Sequence, residues 1–268
     1  MIENFYLSEW RQQVPWVPDY QVEQDLIITR ALISLYANEK IRKNLAFRGG
    51  TALNKLFFNP PSRYSEDIDL VQIHPQPIGP IITEIRDALS WLGQPKGKLT
   101  PRSAKLIYQY VSNDNIKRKL KIEMNTTEHF NVQDFLDYEF TMNSSWFSGK
   151  STITTYSLNE LMATKLRALY QRSKGRDLYD MWIVLKNELV DCQAVVEIFE
   201  KYCENEKIKI TRADFERNLS DKKQNLDFRN DILNLITDHS MWLVDEAFNI
   251  THEKLISLLP GKSLKIKK

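Results

Sequence analysis

Two neighbouring stretches, FRGGTALNK at residues 47–55 and RYSEDIDL at residues 63–70, decide the fold. The first has the pattern of a short strand that ends in two glycines and leads into a helix, and the second alternates polar and apolar residues like a strand. Asp67 and Asp69 are separated by one residue of that strand, so their side chains point to the same face. The apolar residues between and after them point to the other face, toward a core.

Two carboxylates on one face repel each other unless a cation lies between them or one of them takes up a proton. Mg²⁺ takes oxygen ligands and is commonly held by one or two carboxylates together with substrate phosphates. Asp67 and Asp69 are therefore predicted metal ligands. A solvated strand end is the alternative interpretation of an isolated D-x-D motif.

The turn Gly49-Gly50-Thr51 lies between the first predicted strand and the helix after it. Glycines let the backbone approach a ligand closely, and a helix N-terminus offers free N–H groups and a partial positive charge that suit phosphate. Thr51 is expected either to cap the helix or to donate a hydrogen bond to phosphate.

A third carboxylate, Glu123, occurs in the stretch KLKIEM at residues 119–124. If this stretch is a strand, Lys119, Lys121 and Glu123 share one face. Glu123 is then either a third metal-facing carboxylate or a strand charge paired with lysine. Three carboxylates on two strands could hold two metal ions, which clamp the attacking and leaving oxygens of a phosphoryl displacement.

The stretch NELMATKLRALYQRSKGRDLYDMW at residues 159–182 predicts two helices, 158–170 and 176–186. Ser157 and Glu160 precede the first at capping-box spacing. The basic residues of the stretch predict a cationic patch directed at phosphate. The members of this patch are Lys165, Arg172, Lys174 and Arg176.

Asp177 and Asp180 are three residues apart and share a helix face, and Arg176 with Asp180 has the spacing of a surface ion pair. The aromatic residues Tyr170, Tyr179 and Trp182 lie at helical spacing among Leu and Met. They are expected to be core residues, with base stacking as the alternative.

The composition excludes several classes of protein. The 268 residues are 42% hydrophobic and carry a formal charge of +2, which excludes a strongly basic chromatin-type protein but not a local basic groove. Two cysteines are too few for a disulfide scaffold, and the four histidines show no ligand spacing. No apolar run approaches the length of a membrane span, so we expect a soluble, cytoplasmic protein without a membrane partner.

Basic residues are nevertheless clustered along the chain. Lys117, Arg118 and Lys119 are consecutive and are followed by Lys121. A second cluster is the C-terminal tail, which contains Lys262, Lys265, Lys267 and Lys268. Phosphate contacts from such clusters would give sequence-independent affinity for nucleic acid.

A change from mixed strands and helices to helices alone near residue 155 predicts two domains. We expect an α+β core at residues 1–155 and a helical domain at residues 156–268, which would carry the K…RDxxD motif.

Taken in order, these motifs resemble the AbiEii/AbiGii-type toxins, nucleotidyltransferase-like proteins of abortive-infection and type IV toxin–antitoxin systems. The resemblance covers about residues 20 to 190. It implies a DNA polymerase β-like nucleotidyltransferase core, a mixed sheet with flanking helices, followed by a helical C-terminal region. The sequence departs from the superfamily G-S…D-x-D signature in having Thr51 in place of serine and a longer gap before Asp67.

The resemblance also implies a set of functional residues. Asp67, Asp69 and Glu123 would be catalytic and hold Mg²⁺, with Mn²⁺ as an alternative. Lys165 and Asp177 would be the lysine and aspartate of the downstream motif. The phosphates of the NTP would be bound by Gly49, Gly50, Thr51, Ser65, Lys165 and Arg176.

The implied function is the transfer of a nucleoside monophosphate from an NTP to RNA, with the tRNA 3′ end as acceptor, by the toxin of a toxin–antitoxin or phage-defence system. A cognate antitoxin encoded nearby is an implied partner. The alternatives are an enzyme that nucleotidylates protein hydroxyls and a non-catalytic nucleotide- or RNA-binding module. A D-x-D glycosyltransferase fits poorly with the Gly-Gly-Thr turn.

Overall fold

The chain divides into two compact units, Met1–Tyr156 (unit 1) and Ser157–Lys268 (unit 2). The computed structural model describes residues 2–264, so Lys265, Lys267 and Lys268 of the predicted basic tail lie outside the described residues. Unit 1 contains a mixed sheet with flanking helices, and the described part of unit 2 is helical. The predicted α+β class is therefore confirmed.

Unit 1 combines helices with one seven-stranded sheet, counted over the residues described. The helices are α1 (Asn4–Arg11), α2 (Asp19–Tyr36), α3 (Glu39–Asn44), α4 (Gly49–Leu56) and α5 (Gly79–Ala88). The strands are β1 (Leu45–Arg48), β2 (Asp67–Gln72), β3 (Lys96–Leu99), β4 (Ser103–Val111), β5 (Lys117–Asn125), β6 (Leu136–Asn143) and β7 (Ser148–Thr155). They follow the order β3-β4-β5-β2-β1-β7-β6, in which β2 is antiparallel to β1 and parallel to β5.

Strands β1, β2 and β5 lie where the sequence patterns predict them. Strands β3, β6 and β7 were not predicted. In β7, SGKSTITT, polar and hydroxyl side chains occur on both faces, so the period-two apolar signal of a half-buried strand is missing, whereas LDYEFTMN in β6 does alternate apolar and polar residues.

One face of the central strands is apolar and buried. Ile68 and Leu70 on β2 and Ile122 and Met124 on β5 have almost no exposed surface. Because side chains alternate along a strand, their neighbours Asp67, Asp69 and Glu123 are directed to the other face. Burial of the apolar face thus holds the three carboxylates in place.

A buried carboxylate ties the N-terminal helices together. Asp25 on α2 accepts hydrogen bonds from Trp10 Nε1 and Trp16 Nε1, both at 2.9 Å, and pairs with Lys55 Nζ of α4 at 2.7 Å. Helix α2 begins at Asp19 itself, and no side chain caps it. Asp19 pairs with Arg11.

Unit 2 is built from helices over its described residues. They are α6 (Leu158–Gln171), α7 (Gly175–Lys186), α8 (Cys192–Asn205), α9 (Arg212–Gln224), α10 (Leu226–Asn230) and α11 (Val244–Lys254). The first two match the predicted helices, and Ser157 caps α6 by accepting a hydrogen bond from the backbone N–H of Glu160 at 3.1 Å. No helix in residues 2–264 is both long and apolar enough to cross a membrane.

Glu216 on α9 holds together the end of the described chain. Its carboxylate accepts hydrogen bonds from Arg212 Nε at 2.8 Å, His252 Nε2 at 2.9 Å and Ser263 Oγ at 3.0 Å. Burial opposes its ionisation, but the donors Arg212, the backbone N–H of Leu264, His252 and Ser263 prevail and lower the pKa of Glu216 to about 2. Its side chain is only 9% exposed, so solvent screens the interactions weakly.

A carboxylate with a lowered folded-state pKa stabilises the fold above its unfolded pKa and loses that effect as the pH falls through the folded value. We expect Glu216→Gln to lower the free energy of unfolding by about 3 kcal/mol at pH 7. The gap to wild type should close as the pH falls from about 4.5 to about 2. Urea unfolding at several pH values measures this, and a gap independent of pH would contradict it.

Candidate active site

Asp67 and Asp69 lie on the same face of β2, beside the turn that starts α4. Gly49 has φ +81°, a conformation that side chains with a Cβ disfavour, and a Cβ there would lie 2.6 Å from Asp69 Oδ2. The glycine therefore leaves room for the Asp69 carboxylate against the backbone. The register also pairs Asp69 with Arg48, the last residue of β1.

The two carboxylates are crowded. Burial, and next the negative charge of Asp67, raise the pKa of Asp69, while the charges of Arg48 and Lys121 act in the opposite direction. The direction of this shift means that a negative charge at Asp69 lacks sufficient compensation from the protein. A cation placed between the two groups would supply it.

Thr51 does not cap α4, so the capping alternative for this residue is wrong. The helix begins at Gly49, and Thr51 is buried in its first turn with 1% exposure. Its hydroxyl donates to the carbonyl oxygen of Asp67 and lies 2.6 Å from Ser65 Oγ, which must therefore supply the proton of that second bond. Thr51 and Ser65 thus fix the turn to the start of β2.

Asn54 and Arg63, which the sequence analysis did not single out, shape the same turn. Asn54 donates to the carbonyl oxygen of Gly50 at 3.0 Å and accepts from the backbone N–H groups of Ser62 and Arg63 at 3.0 and 3.1 Å. The Arg63 guanidinium lies against Gly50, where a Cβ would overlap it. A polar residue on the buried face of a predicted helix was the available signal for Asn54.

Glu123 is paired with lysines. Its carboxylate lies 2.8 Å from Lys105 Nζ and 3.3 Å from Lys121 Nζ, and Lys121 also lies 2.7 Å from Asp67 Oδ2. Burial opposes ionisation of Glu123, but the hydrogen bond from Lys105 and the charges of both lysines lower its pKa. The lysine-paired interpretation of Glu123 is therefore the one that the structure shows, with Lys121 as a bridge to Asp67.

Within residues 2–264, no group of three or more His, Cys, Asp or Glu side chains is placed to hold a metal ion. The register nevertheless brings the three predicted ligands to one face, with Asp69 paired with Glu123, while the Lys121 ammonium lies between Asp67 and Glu123. Asp67 and Asp69 do fit a hard divalent cation, since they are neighbouring oxygen donors whose repulsion a cation would relieve. Triphosphate oxygens and water would complete the ligand set.

The predicted residues of unit 2 form a buried ion-pair cluster. Lys165 Nζ lies 2.5 Å from Asp180 Oδ2 and 3.3 Å from Asp177 Oδ1. Arg172 Nε and Nη2 donate to the Asp177 carboxylate at 2.7 and 2.9 Å, and both aspartates are fully buried. Asp177 thus contacts both Lys165 and Arg172, and because Asp180 is buried against Lys165, its interpretation as the surface partner of Arg176 is wrong.

The remaining cations of the predicted patch also have acidic partners. Lys174 Nζ lies 3.6 Å and Arg176 Nε 4.0 Å from the carboxylate of Asp231. Tyr179 and Trp182 are buried, which confirms the prediction that they are core residues and excludes them as base-stacking groups. The stretch is consequently less cationic than its sequence indicates.

A mixed sheet that presents an aspartate pair beside a Gly-Gly turn defines a nucleotidyltransferase core. The family model "Nucleotidyl transferase AbiEii toxin, Type IV TA system" matches residues 30–250. The chain belongs to this family of toxin nucleotidyltransferases. None of the curated protein sequences compared with the chain matches it.

Solved structures share the fold at low sequence identity. MenT4, a nucleotidyltransferase toxin from Mycobacterium tuberculosis, matches with a TM-score of 0.67 at 14% identity, over 95% of this chain and 87% of its own. JHP933 from Helicobacter pylori matches with a TM-score of 0.57 at 15% identity, over 91% of this chain and 93% of its own. These likenesses concern the fold alone.

Lys121 occupies a position where it competes with a divalent cation for Asp67. We expect Lys121→Met to tighten Mn²⁺ binding about tenfold, because it removes a positive charge adjacent to the ligand. Titration of Mn²⁺ without nucleotide, followed by electron paramagnetic resonance, measures the affinity. Lys43→Met, on an exposed lysine of α3, serves as the matched control. Equal affinities in wild type and Lys121→Met would contradict the competition.

Lys165 neutralises buried carboxylates, so its removal should destabilise unit 2. We expect Lys165→Met to lower the free energy of unfolding by about 3 kcal/mol. The double variant Lys165→Met/Asp180→Asn should recover part of that loss, because it also removes a buried charge. Urea unfolding followed by circular dichroism tests this. A single variant as stable as wild type would show that the pair contributes little to the fold.

Proposed function

We propose that this toxin nucleotidyltransferase transfers a nucleoside monophosphate from an NTP to the 3′ end of an RNA, with tRNA as the acceptor. The crowded pair Asp67 and Asp69 beside the α4 turn is the observation that carries the proposal. The family model supports nucleotidyl transfer, and the exposed lysines of β5 support a polyanionic acceptor.

Asp67 and Asp69 would hold Mg²⁺, or Mn²⁺ in its place. When bound, the metal supplies charge neutralisation at the triphosphate and at the reacting oxygens. The backbone N–H groups of Gly49, Gly50 and Thr51 bind the β- and γ-phosphates at the positive end of α4. Ser65 keeps Thr51 in position for this contact.

In the reaction, the oxygen of the acceptor hydroxyl forms a bond to the α-phosphorus, and the bond from the α-phosphorus to the bridging oxygen breaks. Pyrophosphate leaves, and the nucleoside monophosphate remains on the RNA. Glu123, kept ionised by Lys105 and Lys121, accepts the proton of the attacking hydroxyl.

Lys165, held by Asp177, and Arg176 stay predictions as groups that bind the leaving pyrophosphate. Their ion pairs with Asp180 and Asp231 support a structural role as well. The family also suggests a cognate antitoxin as a partner, and a neighbouring gene that encodes one would support the toxin role.

Incubation with α-³²P-labelled NTP, total RNA and Mg²⁺ tests the proposal directly. We expect label in the RNA fraction with wild type, loss of label on chelation, and a loss of about a hundredfold or more with Asp67→Asn or Asp69→Asn. Asp87→Asn, on an exposed carboxylate of α5, is the matched control and should keep full activity.

Label in the protein fraction instead of the RNA fraction would favour protein nucleotidylation. NTP binding without labelled product from folded protein would favour a non-catalytic binding module. Either result would overturn the proposed RNA transfer.

A further inference from the structure

The register of the sheet extends the active-site face across β5, β4 and β3. Asp69 is paired with Glu123, Glu123 with Lys105, and Lys105 with Lys98. Directly paired residues on neighbouring strands point to the same face. This row therefore runs from the carboxylate pair to the edge strand of the sheet.

A second row begins at Asp67, which is paired with Lys121, and ends at Lys96 on β3. Farther along β5, Lys119 and Lys117 follow at intervals of two residues on the same face. We call Lys96, Lys98, Lys117 and Lys119 together the lysine face. Its opposite side is the buried apolar face of the sheet.

The lysine face is positively charged without compensation. All four side chains are exposed, and none has an ion-pair partner among residues 2–264, unlike Lys105 and Lys121. Two acidic residues, Asp67 and the exposed Glu66, line the same pocket as Lys117 and Lys119. Free cations in rows beside a nucleotidyltransferase site are suited to bind phosphates.

The spacing along β5 fits an extended strand of nucleic acid. Lys117 and Lys119 are about 6.6 Å apart along the strand axis. Successive phosphates of an extended single strand have a similar separation. A single strand that follows β5 from Lys117 toward Lys121 would bring its end to Glu123.

A pocket of about 300 Å³ opens beside these lysines. It is lined by Tyr20, Gln24, Tyr64, Glu66, Asp67, Gln109, Lys117, Arg118 and Lys119. The volume is at the small end of the range for ligand pockets and suits a single nucleobase. Because Asp67 also lines it, the pocket is continuous with the active site.

Tyr20 and Arg118 also line this pocket and stack on each other, with Arg118 alternating to the face of β5 opposite Lys117 and Lys119. The Arg118 guanidinium lies 4.4 Å from the centre of the Tyr20 ring, and Arg118 Nε donates to Ser112 Oγ at 3.0 Å. Tyr20 is 38% exposed and meets Tyr64 edge-on. Aromatic rings and guanidinium planes stack on unpaired bases, which favours a single strand over a duplex or an acidic protein.

Gln24 forms the floor of the pocket. Its side-chain amide donates to the carbonyl oxygens of Glu66 at 3.0 Å and Lys119 at 3.2 Å, and it accepts from the hydroxyl of Tyr110. The amide is therefore engaged in joining β2 to β5. The pocket offers stacking and charge, so we expect little discrimination among bases.

We propose that the lysine face and the Tyr20 pocket bind the single-stranded end of the RNA acceptor and direct its terminal hydroxyl to Glu123. The inference rests on the proposed RNA transfer and specifies where the acceptor lies. It predicts sequence-tolerant binding that weakens with salt.

RNA binding by this surface can be measured by fluorescence anisotropy with a labelled single-stranded oligoribonucleotide. A chelator is present and NTP is absent, so that no transfer takes place. We expect each of the double variants Lys117→Ala/Lys119→Ala and Lys96→Ala/Lys98→Ala to weaken RNA binding about fivefold or more. Each should also reduce the slope of log K against log salt concentration by about 1.4 in magnitude, because two phosphate contacts are lost. Tyr20→Ala should weaken binding about fivefold with no change in slope. Melting temperatures equal to that of wild type would establish that the variants are folded.

Lys40→Ala/Lys43→Ala is the matched control, since it removes two exposed lysines of α3 that pair with Glu84 and Glu39. It should bind the oligoribonucleotide within about twofold of wild type. If the control and all lysine-face variants bind the oligoribonucleotide equally well, the proposal that the lysine face binds RNA is wrong.

The transfer assay separates this inference from the function on which it rests. If wild type and the lysine-face variants transfer label to RNA with the same KM for the acceptor, acceptor binding by the lysine face is contradicted. The proposed transfer to RNA would still be supported. Lysine-dependent RNA binding without transfer would support the surface and contradict the function. Label on protein, with RNA binding unaffected by the lysines, would contradict both.

Discussion

The repulsion between Asp67 and Asp69 is the constraint on which the site depends. Both carboxylates lie on one face of β2 because the opposite face is buried, and Gly49 leaves space for Asp69 against the backbone. Burial and the charge of its neighbour raise the pKa of Asp69, so the protein alone stabilises the doubly charged pair incompletely. A site of this kind gains from a divalent cation and from the phosphates that accompany it.

The protein balances its other acidic groups with internal cations. Lys121 bridges Asp67 and Glu123, and in unit 2 Lys165 bridges Asp177 and Asp180. The two bridges differ in exposure, since the side chain of Lys121 is 29% exposed and that of Lys165 only 6%. A partly exposed ammonium can move aside when a metal or substrate arrives, whereas a buried one is held by the cost of leaving its partners unpaired.

The sequence patterns predicted what is local. Alternation in β2 placed both aspartates on one face, and helical spacing placed Asp177 and Asp180 together. The register between β2 and β5 is a long-range pairing, so the bridge by Lys121 had no local signal that distinguished it from metal binding by Glu123. The burial of Lys165, Asp177 and Asp180 also had no signal in the sequence, because charged residues are normally expected at the surface. Strand β7 lacked apolar alternation. The capping alternative for Thr51 failed because α4 already begins at Gly49, two residues earlier.

Anomalous diffraction from crystals grown with Mn²⁺ and a non-hydrolysable nucleoside triphosphate tests the central claim most directly. A metal site at the crowded pair predicts a manganese peak in contact with the carboxylates of Asp67 and Asp69, with Lys121 turned away from Asp67. A nucleotide-bound structure without manganese at the pair, in which Lys121 still bridges Asp67 and Glu123, would contradict it.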